Sequence, residues 1–305
     1  MKKCYKCGLK GVVYLPQYRI AFCKEHYLEW YSRRVEETIK EFHMFTRESR
    51  VLVAVSGGKD SLSLWDVLYR LGYKADGLYI DLGIGEYSER SRIVCERFAQ
   101  TRGLELHVLS LGEAIATIPE IKRLEKRPAC SFCGQLKRYY MNKFAKEKGY
   151  SILATGHNLD DESATLFSNL LAWNMDYLAR QFPLLPEGKG FVRRVKPLFK
   201  LSEKENALYA FLGGIEYVEE ECPFAEGASS IGYKKVLSQL EEESPGTKLR
   251  FYMDFLRRLH PLLKAQEVEL RHCSICGEPT TGEVCSLCRL RERLSSKTLS
   301  SSPSS

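Results

Sequence analysis

Two hydrophobic rhythms alternate along the middle of the chain. Val51–Val55 is an unbroken run of apolar, mostly β-branched residues, the mark of a strand buried on both faces. After Ser56-Gly57-Gly58, the residues Leu62, Leu64, Trp65, Val67, Leu68 and Leu71 recur at helical spacing until Gly72 stops them. The same alternation returns with strands over 75–81, 104–110, 151–155 and 215–218. Between and after them come helices over 88–102, 135–148, 162–173, 203–212, 233–243 and 247–263. Strands separated by helices predict an α/β fold, a parallel five-stranded sheet with helices on both faces. Ahead of it, two short strands (11–16 and 19–22) and an amphipathic helix (25–45) are expected.

Composition narrows the class. The chain has 305 residues, of which 44% are hydrophobic and 28% charged, enough apolar material for a sizeable core. No apolar run approaches the ~20 residues that span a bilayer, and Met1-Lys-Lys-Cys-Tyr-Lys-Cys7 lacks the apolar stretch of a signal peptide. A cytoplasmic protein without membrane contact is expected. The net charge of +7 leans toward an anionic partner such as nucleic acid.

Eleven cysteines change the picture more. In a reducing compartment they point to metal or redox chemistry rather than disulfides. Cys4-x2-Cys7 with Cys23-x2-His26, and Cys273-x2-Cys276 with Cys285-x2-Cys288, are two pairs of close pairs, as tetrahedral zinc sites require. Four ligands leave no open position, so both sites read as structural, and a finger this small depends on its metal to fold. Cys130, Cys133 and Cys222 form a trio without an obvious fourth member. Three thiols suit an iron–sulfur cluster with one open iron; a persulfide or disulfide relay on the same thiols is the competing reading. Cys95 sits within a helical pattern as a small apolar side chain.

The strand–Gly57-Gly58–helix junction is itself an anion site, because free backbone N–H groups and a helix dipole converge there. Ser56, Lys59 and Ser61 add hydroxyls and a cation. Tight turns of this kind also occur without any ligand, and the spacing is not that of the common Gly-x4-Gly-Lys-Ser/Thr loop. The whole string Ser56-Gly-Gly-Lys-Asp-Ser61 resembles the PP-loop of ATP pyrophosphatases, and Gly156-His157-x2-Asp-Asp161 resembles that family's second nucleotide stretch. The resemblance implies an adenine nucleotide alpha hydrolase-like fold that splits ATP between its α and β phosphates. It places ATP against Ala54, Ser56, Gly57, Gly58, Lys59, Asp60, Ser61, Ile80, Gly156, His157 and Asp161. An aspartate at a helix start also serves as an N-cap; here Asp161 is expected to act through Mg2+ or as a proton acceptor. The basic stretch 183–200 is read either as a phosphate-backbone contact or as a solvated loop.

Fingers at both ends, the PP-loop and the cysteine trio together resemble the TtuA-type tRNA 2-thiouridine synthetases. The segment Cys222-Pro-Phe-Ala-Glu-Gly-Ala-Ser-Ser-Ile-Gly-Tyr-Lys carries the likeness to the branch that acts on 5-methyluridine 54 of the T-loop. The resemblance implies ATP-dependent adenylylation of the uridine C2 oxygen and its replacement by sulfur held on a [4Fe-4S] cluster. Sulfur would come from a ubiquitin-like carrier ending in a thiocarboxylate. The implied catalytic residues are Lys137, Asp161, Cys130 and Cys222; the implied cofactors are ATP, Mg2+, the cluster and two Zn2+. The partners are tRNA, the carrier and a second copy of the chain. The expected division is a finger over 1–30, a catalytic domain over 31–268, a finger over 269–293 and a disordered tail over 294–305. The alternatives are a wobble-uridine or cytidine thiolase of the same superfamily, and a non-catalytic zinc-finger RNA-binding protein.

Overall fold

The computed structural model describes residues 2–225, 229–264 and 269–300. At the amino end β1 (Val13–Leu15) and β2 (Ile20–Phe22) pair antiparallel, and α1 (Lys24–Glu41) follows. Tyr27, Trp30, Tyr31, Val35 and Ile39 recur every three or four residues in α1, so one stripe is buried. The central layer starts with β3 (Val51–Val55), α2 (Lys59–Arg70), β4 (Ala75–Asp81), α3 (Gly85–Arg102) and β5 (Leu106–Ser110). Two short helices, α4 (Leu111–Ala114) and α5 (Ile118–Leu124), lead to α6 (Ala129–Glu147), β6 (Ile152–Thr155), α7 (Leu159–Leu171) and α8 (Met175–Arg180). Then come β7 (Leu184–Leu185), β8 (Arg193–Val195), α9 (Glu203–Gly213), α10 (Ser229–Glu243) and α11 (Thr247–Asp254). The carboxyl end is a hairpin of β9 (Arg271–His272) and β10 (Pro279–Thr280) with α12 (Ser286–Ser300). No helix among the described residues is long and apolar enough to cross a membrane.

The main sheet has six strands in the order β5-β4-β3-β6-β8-β7. The first five are parallel and β7 runs antiparallel to β8. Strand order reverses between β3 and β6, and ligands of such sheets bind in the crevice at that switch point. The alternation along β3 fixes two cores. Val51, Val53 and Val55 pack with Trp65 and Tyr79 on one face, while Leu52 packs with Leu78, Leu153 and the α6 residues Phe132 and Leu136 on the other.

Four expectations are corrected. The strand count is six, not five, and the fifth parallel strand is Arg193–Val195 rather than 215–218. Only Val195 of β8 is deeply buried, so this edge strand has almost no apolar signature. Residues 215–218 instead form an extended strap, and the Val218 N–H donates to the Gly57 carbonyl at 2.9 Å. Helix α6 starts at Ala129, six residues before the expected 135, with Pro128 as its N-cap. The helix expected over 247–263 changes winding after Asp254, and Pro261 ends it in a 3-10 turn. Helix α12 runs into the tail expected to be disordered: Leu290 and Leu294 are buried and Arg293 pairs with Glu125, so the helix is anchored before the serines begin. Residues 301–305 of that tail lie outside the described residues.

Candidate active site

The PP-loop sits at the carboxyl end of β3, and its backbone is tied by its own side chains. Ser56 N–H donates to Ser61 Oγ at 3.1 Å, and Ser61 Oγ donates to the Gly58 carbonyl at 3.1 Å. Gly57 has φ +79°, and a Cβ there would stand 2.9 Å from the Ser91 backbone, so two separate constraints require glycine. Gly156 follows β6 and abuts the same loop; a Cβ on it would come within 2.8 Å of Ser61 N. The two glycine stretches singled out in the sequence therefore meet across the switch point.

Charged groups converge on this junction from four helices. Asp60 Oδ1 accepts from Asn158 Nδ2 at 3.2 Å and from Asn206 Nδ2 at 2.7 Å. Asp161 Oδ2 accepts the Asn158 N–H at 3.0 Å in a capping box, leaving Oδ1 to Lys234 Nζ at 2.6 Å. Lys59 Nζ lies 2.8 Å from Glu203 Oε1, and Lys234 lies 3.4 Å from Glu203 Oε2. Burial acts to lower Lys59, but Asp60 and Glu203 outweigh it and hold the ammonium above the usual lysine value. Burial likewise acts to raise Asp161, yet Lys234 and His157 keep its carboxyl below the ordinary range. Burial pushes Asp60 up. His157, hydrogen-bonded to Thr155 Oγ1 at 2.8 Å, is lowered by burial and then by Lys196. The sequence pattern does not single out Asn206, Glu203 or Lys234; Asn158 carries a local signal, as the N-cap within the Gly-His stretch.

Ala54 and Ile80 lie toward the carboxyl ends of neighbouring strands, on the sheet face covered by α6. That helix carries Cys130, Cys133 and Lys137, whose i, i+3, i+7 spacing places them on one face. Cys222 reaches the same place along the strap: Val218 touches Gly57, so a thiol four residues on lies within about 14 Å of the loop. Two residues further, the Phe224 carbonyl accepts from Cys130 Sγ at 3.2 Å. Burial raises the Cys133 thiol; Lys137 opposes that shift, and Cys222 and Cys130 add to it, so all four groups share one electrostatic neighbourhood. Cys95 lies apart, buried in the core on the other sheet face. Among the described residues the trio does not gather within 4.8 Å, as each four-ligand set does. Three cysteines in one neighbourhood are a donor set that a multi-iron cluster with one open position takes.

Both terminal sets fit one tetrahedral ion. Cys4 Sγ and Cys23 Sγ lie 3.4 and 3.3 Å from His26 Nδ1, with Cys7 and Cys23 3.9 Å apart. Cys276 and Cys285 are 3.6 Å apart. Zinc–sulfur bonds of ~2.3 Å arranged tetrahedrally put ligand atoms roughly 3.7 Å apart. The basic stretch over 183–200 is mostly spent internally: Lys196 pairs with Glu162 at 2.7 Å and Lys200 with Glu41.

Fold and loop define a protein of the PP-loop class, and residues 29–223 match the PP-loop domain family. Residues 3–28 match the N-terminal LIM domain of the 2-thiouridine synthetase TtuA. A tRNA-5-methyluridine(54) 2-sulfurtransferase of Thermus thermophilus is 52% identical over 289 residues, covering 94% of this chain and 90% of its own. The enzyme of that name from Thermotoga maritima is 47% identical over 296 residues, 96% of this chain and 97% of its own. Among solved structures, the U34-tRNA thiolase NcsA from Methanococcus maripaludis with its [4Fe-4S] cluster superposes with a TM-score of 0.81 at 26% identity, covering 96% of this chain and 97% of that one. The chain belongs to the TtuA-type tRNA 2-thiouridine synthetases of the PP-loop superfamily.

Proposed function

We propose that this protein is a cytoplasmic, ATP-dependent tRNA sulfurtransferase that converts 5-methyluridine 54 of the T-loop to its 2-thio form. The observation that carries the reading is the strap: one short segment ties the PP-loop backbone at Gly57 to Cys222 and, through Phe224, to Cys130. A phosphate cradle and a thiol trio thus face one reaction space. The relatives at 52% and 47% identity, named for position 54, favour that nucleotide over the wobble uridine of the 26% identical neighbour.

A carbonyl oxygen is a poor leaving group, so activation comes first. The uridine O2 attacks the α phosphorus of ATP, and the bond to the bridging oxygen breaks to release pyrophosphate. Ser56, the N–H groups of Gly57 and Gly58, Lys59 and Ser61 stabilise the charge that develops on the departing pyrophosphate. Ala54 and Ile80 support the adenine, and Gly156 and His157 border the nucleotide. Asp60 and Asp161, two carboxylates beside the loop, would hold Mg2+, which supplies charge neutralisation on the phosphates. A sulfur nucleophile then attacks C2, and the C2–O bond breaks as AMP leaves with the oxygen. Lys137, beside the thiols, neutralises negative charge on the group being transferred. Cys130, Cys133 and Cys222 would hold a [4Fe-4S] cluster, which supplies an open iron position for sulfur. Sulfur arrives from a ubiquitin-like carrier with a C-terminal thiocarboxylate, and the chain works as a homodimer. Zn2+ at the two four-ligand sets would be structural.

RNA has a fitting approach at the amino end. Lys2, Lys3, Lys6, Lys10, Arg19 and Lys24 precede the first acidic residue, Glu25, and Tyr5 and Tyr14 are exposed among them. Cations beside exposed aromatics suit phosphate contact and base stacking. The test is nucleoside mass spectrometry of tRNA incubated without oxygen with ATP, protein and a sulfide or thiocarboxylate donor. The reading expects 5-methyl-2-thiouridine; 2-thiouridine confined to the wobble position, or 2-thiocytidine, would reject it.

A further inference from the structure

Glu203 holds two lysines on its two carboxylate oxygens: Lys59 on Oε1 at 2.8 Å and Lys234 on Oε2 at 3.4 Å. Two ammonium groups on opposite oxygens of one planar anion are spaced as they would be around the oxygens of a phosphate. Lys59 is the PP-loop lysine, so the second cation lies within reach of whatever anion the loop binds. The main chain at Glu203 is fixed, since its N–H donates to Asp160 Oδ2 at 2.8 Å. Its side chain is 42% exposed, against 23% for Lys59 and 30% for Lys234, so the carboxylate is the most open of the three groups. A carboxylate so placed can swing toward solvent while the cations stay.

Charge argues the same way. Two lysines, Lys59 and Lys234, face three carboxylates, Asp60, Asp161 and Glu203. Before Mg2+ binds, that balance is net negative and opposes a polyphosphate; moving Glu203 outward restores neutrality, and Mg2+ on Asp60 and Asp161 would then make the site net positive. We propose that Lys234 is a second phosphate-binding lysine and that Glu203 is an intramolecular competitor, displaced when the polyphosphate of ATP takes both ammonium groups. The inference rests on the reading of the loop as an ATP site and names two further residues that set its affinity.

Calorimetric titration of the full-length, metal-loaded protein with Mg2+ and a non-hydrolysable ATP analogue tests it, with AMP as the comparison ligand. Failure of the wild-type chain to bind the analogue would reject the ATP reading itself, not this inference alone. Given wild-type binding, Lys234→Met is expected to weaken the analogue by about tenfold or more, as loss of a hydrogen bond to a charged group does. Lys234→Arg should restore it to within about threefold, because the charge returns with a different donor geometry. Glu203→Gln should tighten it by roughly three- to tenfold, since a neutral amide competes poorly for the lysines. AMP, lacking the β and γ phosphates, should bind all four proteins alike. Unchanged analogue binding in Lys234→Met, or weaker binding in Glu203→Gln, would overturn the proposal. So would equal losses for AMP and the analogue, which would make Lys234 a structural support of Asp161.

Discussion

The two metal-type fingers each gather four ligands, Cys3His at one end and Cys4 at the other, yet each braces a different half of the site. The amino-terminal one leans on α9. Gln17 Nε2 donates to Glu205 Oε1 at 2.9 Å, Tyr27 OH to the Glu205 carbonyl at 2.8 Å, and Tyr31 OH to Asn206 Oδ1 at 2.8 Å. Asn206 of that helix in turn holds Asp60. The carboxyl-terminal finger leans on α6. Gln135 hydrogen-bonds Ser286, Arg291 donates to Tyr140 OH at 3.1 Å, and Glu278 pairs with Lys146 at 2.9 Å. That helix carries Cys130, Cys133 and Lys137. Their surfaces differ as well: Tyr5 is 75% exposed and Leu9 and Val12 lie open, whereas Cys285, Leu287, Cys288 and Leu290 are sunk into the core beneath α6. A metal held at either ligand set would stabilise the placement of a chemical group some distance away, not only its own loop.

Opening either finger should therefore leave a distinct signature. Cys288→Ser has the largest expected effect. It breaks a ligand set buried in the core, and a structural zinc of this type contributes on the order of 10 kcal/mol to folding. Most of the iron bound per chain should be lost, while affinity for the ATP analogue stays within about threefold; iron assay and calorimetry on one preparation measure both. Cys4→Ser should do the reverse, weakening the analogue about tenfold through a loosened α9 and leaving iron unchanged. Equal loss of both properties in either variant would abolish the distinction.

Gln17→Ala removes one link between the first finger and α9. It should cost about 1 kcal/mol of stability in denaturant unfolding, with a change in ATP affinity below threefold. Tyr5→Ala is expected to shift stability by less than about 0.5 kcal/mol. It should weaken tRNA binding by roughly five- to tenfold, the contribution of one stacked base. Tyr5→Ala protein with unchanged tRNA affinity would remove the outer face of this finger from the RNA path.

Local pattern made the centre of the molecule readable and left its edges obscure. The β3–α2 unit shows in sequence because its buried strand, glycine turn and helical stripe are contiguous. The first turns of α6 do not, since Pro128 and Gly134 read as loop punctuation; the stripe of Phe132, Leu136 and Tyr140 was there to extend the helix backward. The pattern over 215–218 resembles a strand, but β8 already pairs with the free edge of β6, and the segment is left to pin Gly57. In the site, Ser56 to Ser61 and Asp161 belong to short motifs and could be named. Glu203 and Lys234 could not, because their partners lie on other helices and the contacts exist only once α7, α9 and α10 have packed. Ser202-x-x-Glu205 is legible as a capping box, yet it announces a helix start and says nothing of Lys59.

The central claim is a site in two parts, with phosphates activating the uridine and thiols delivering sulfur. Cys222→Ala separates them most directly. In one anaerobic reaction with tRNA, ATP and a sulfide or thiocarboxylate donor, pyrophosphate release and 5-methyl-2-thiouridine formation are followed together. The account predicts tRNA-dependent pyrophosphate release within about tenfold of wild type, with 5-methyl-2-thiouridine absent. Loss of pyrophosphate release in step with thiolation, or thiolation that persists without Cys222, would contradict it.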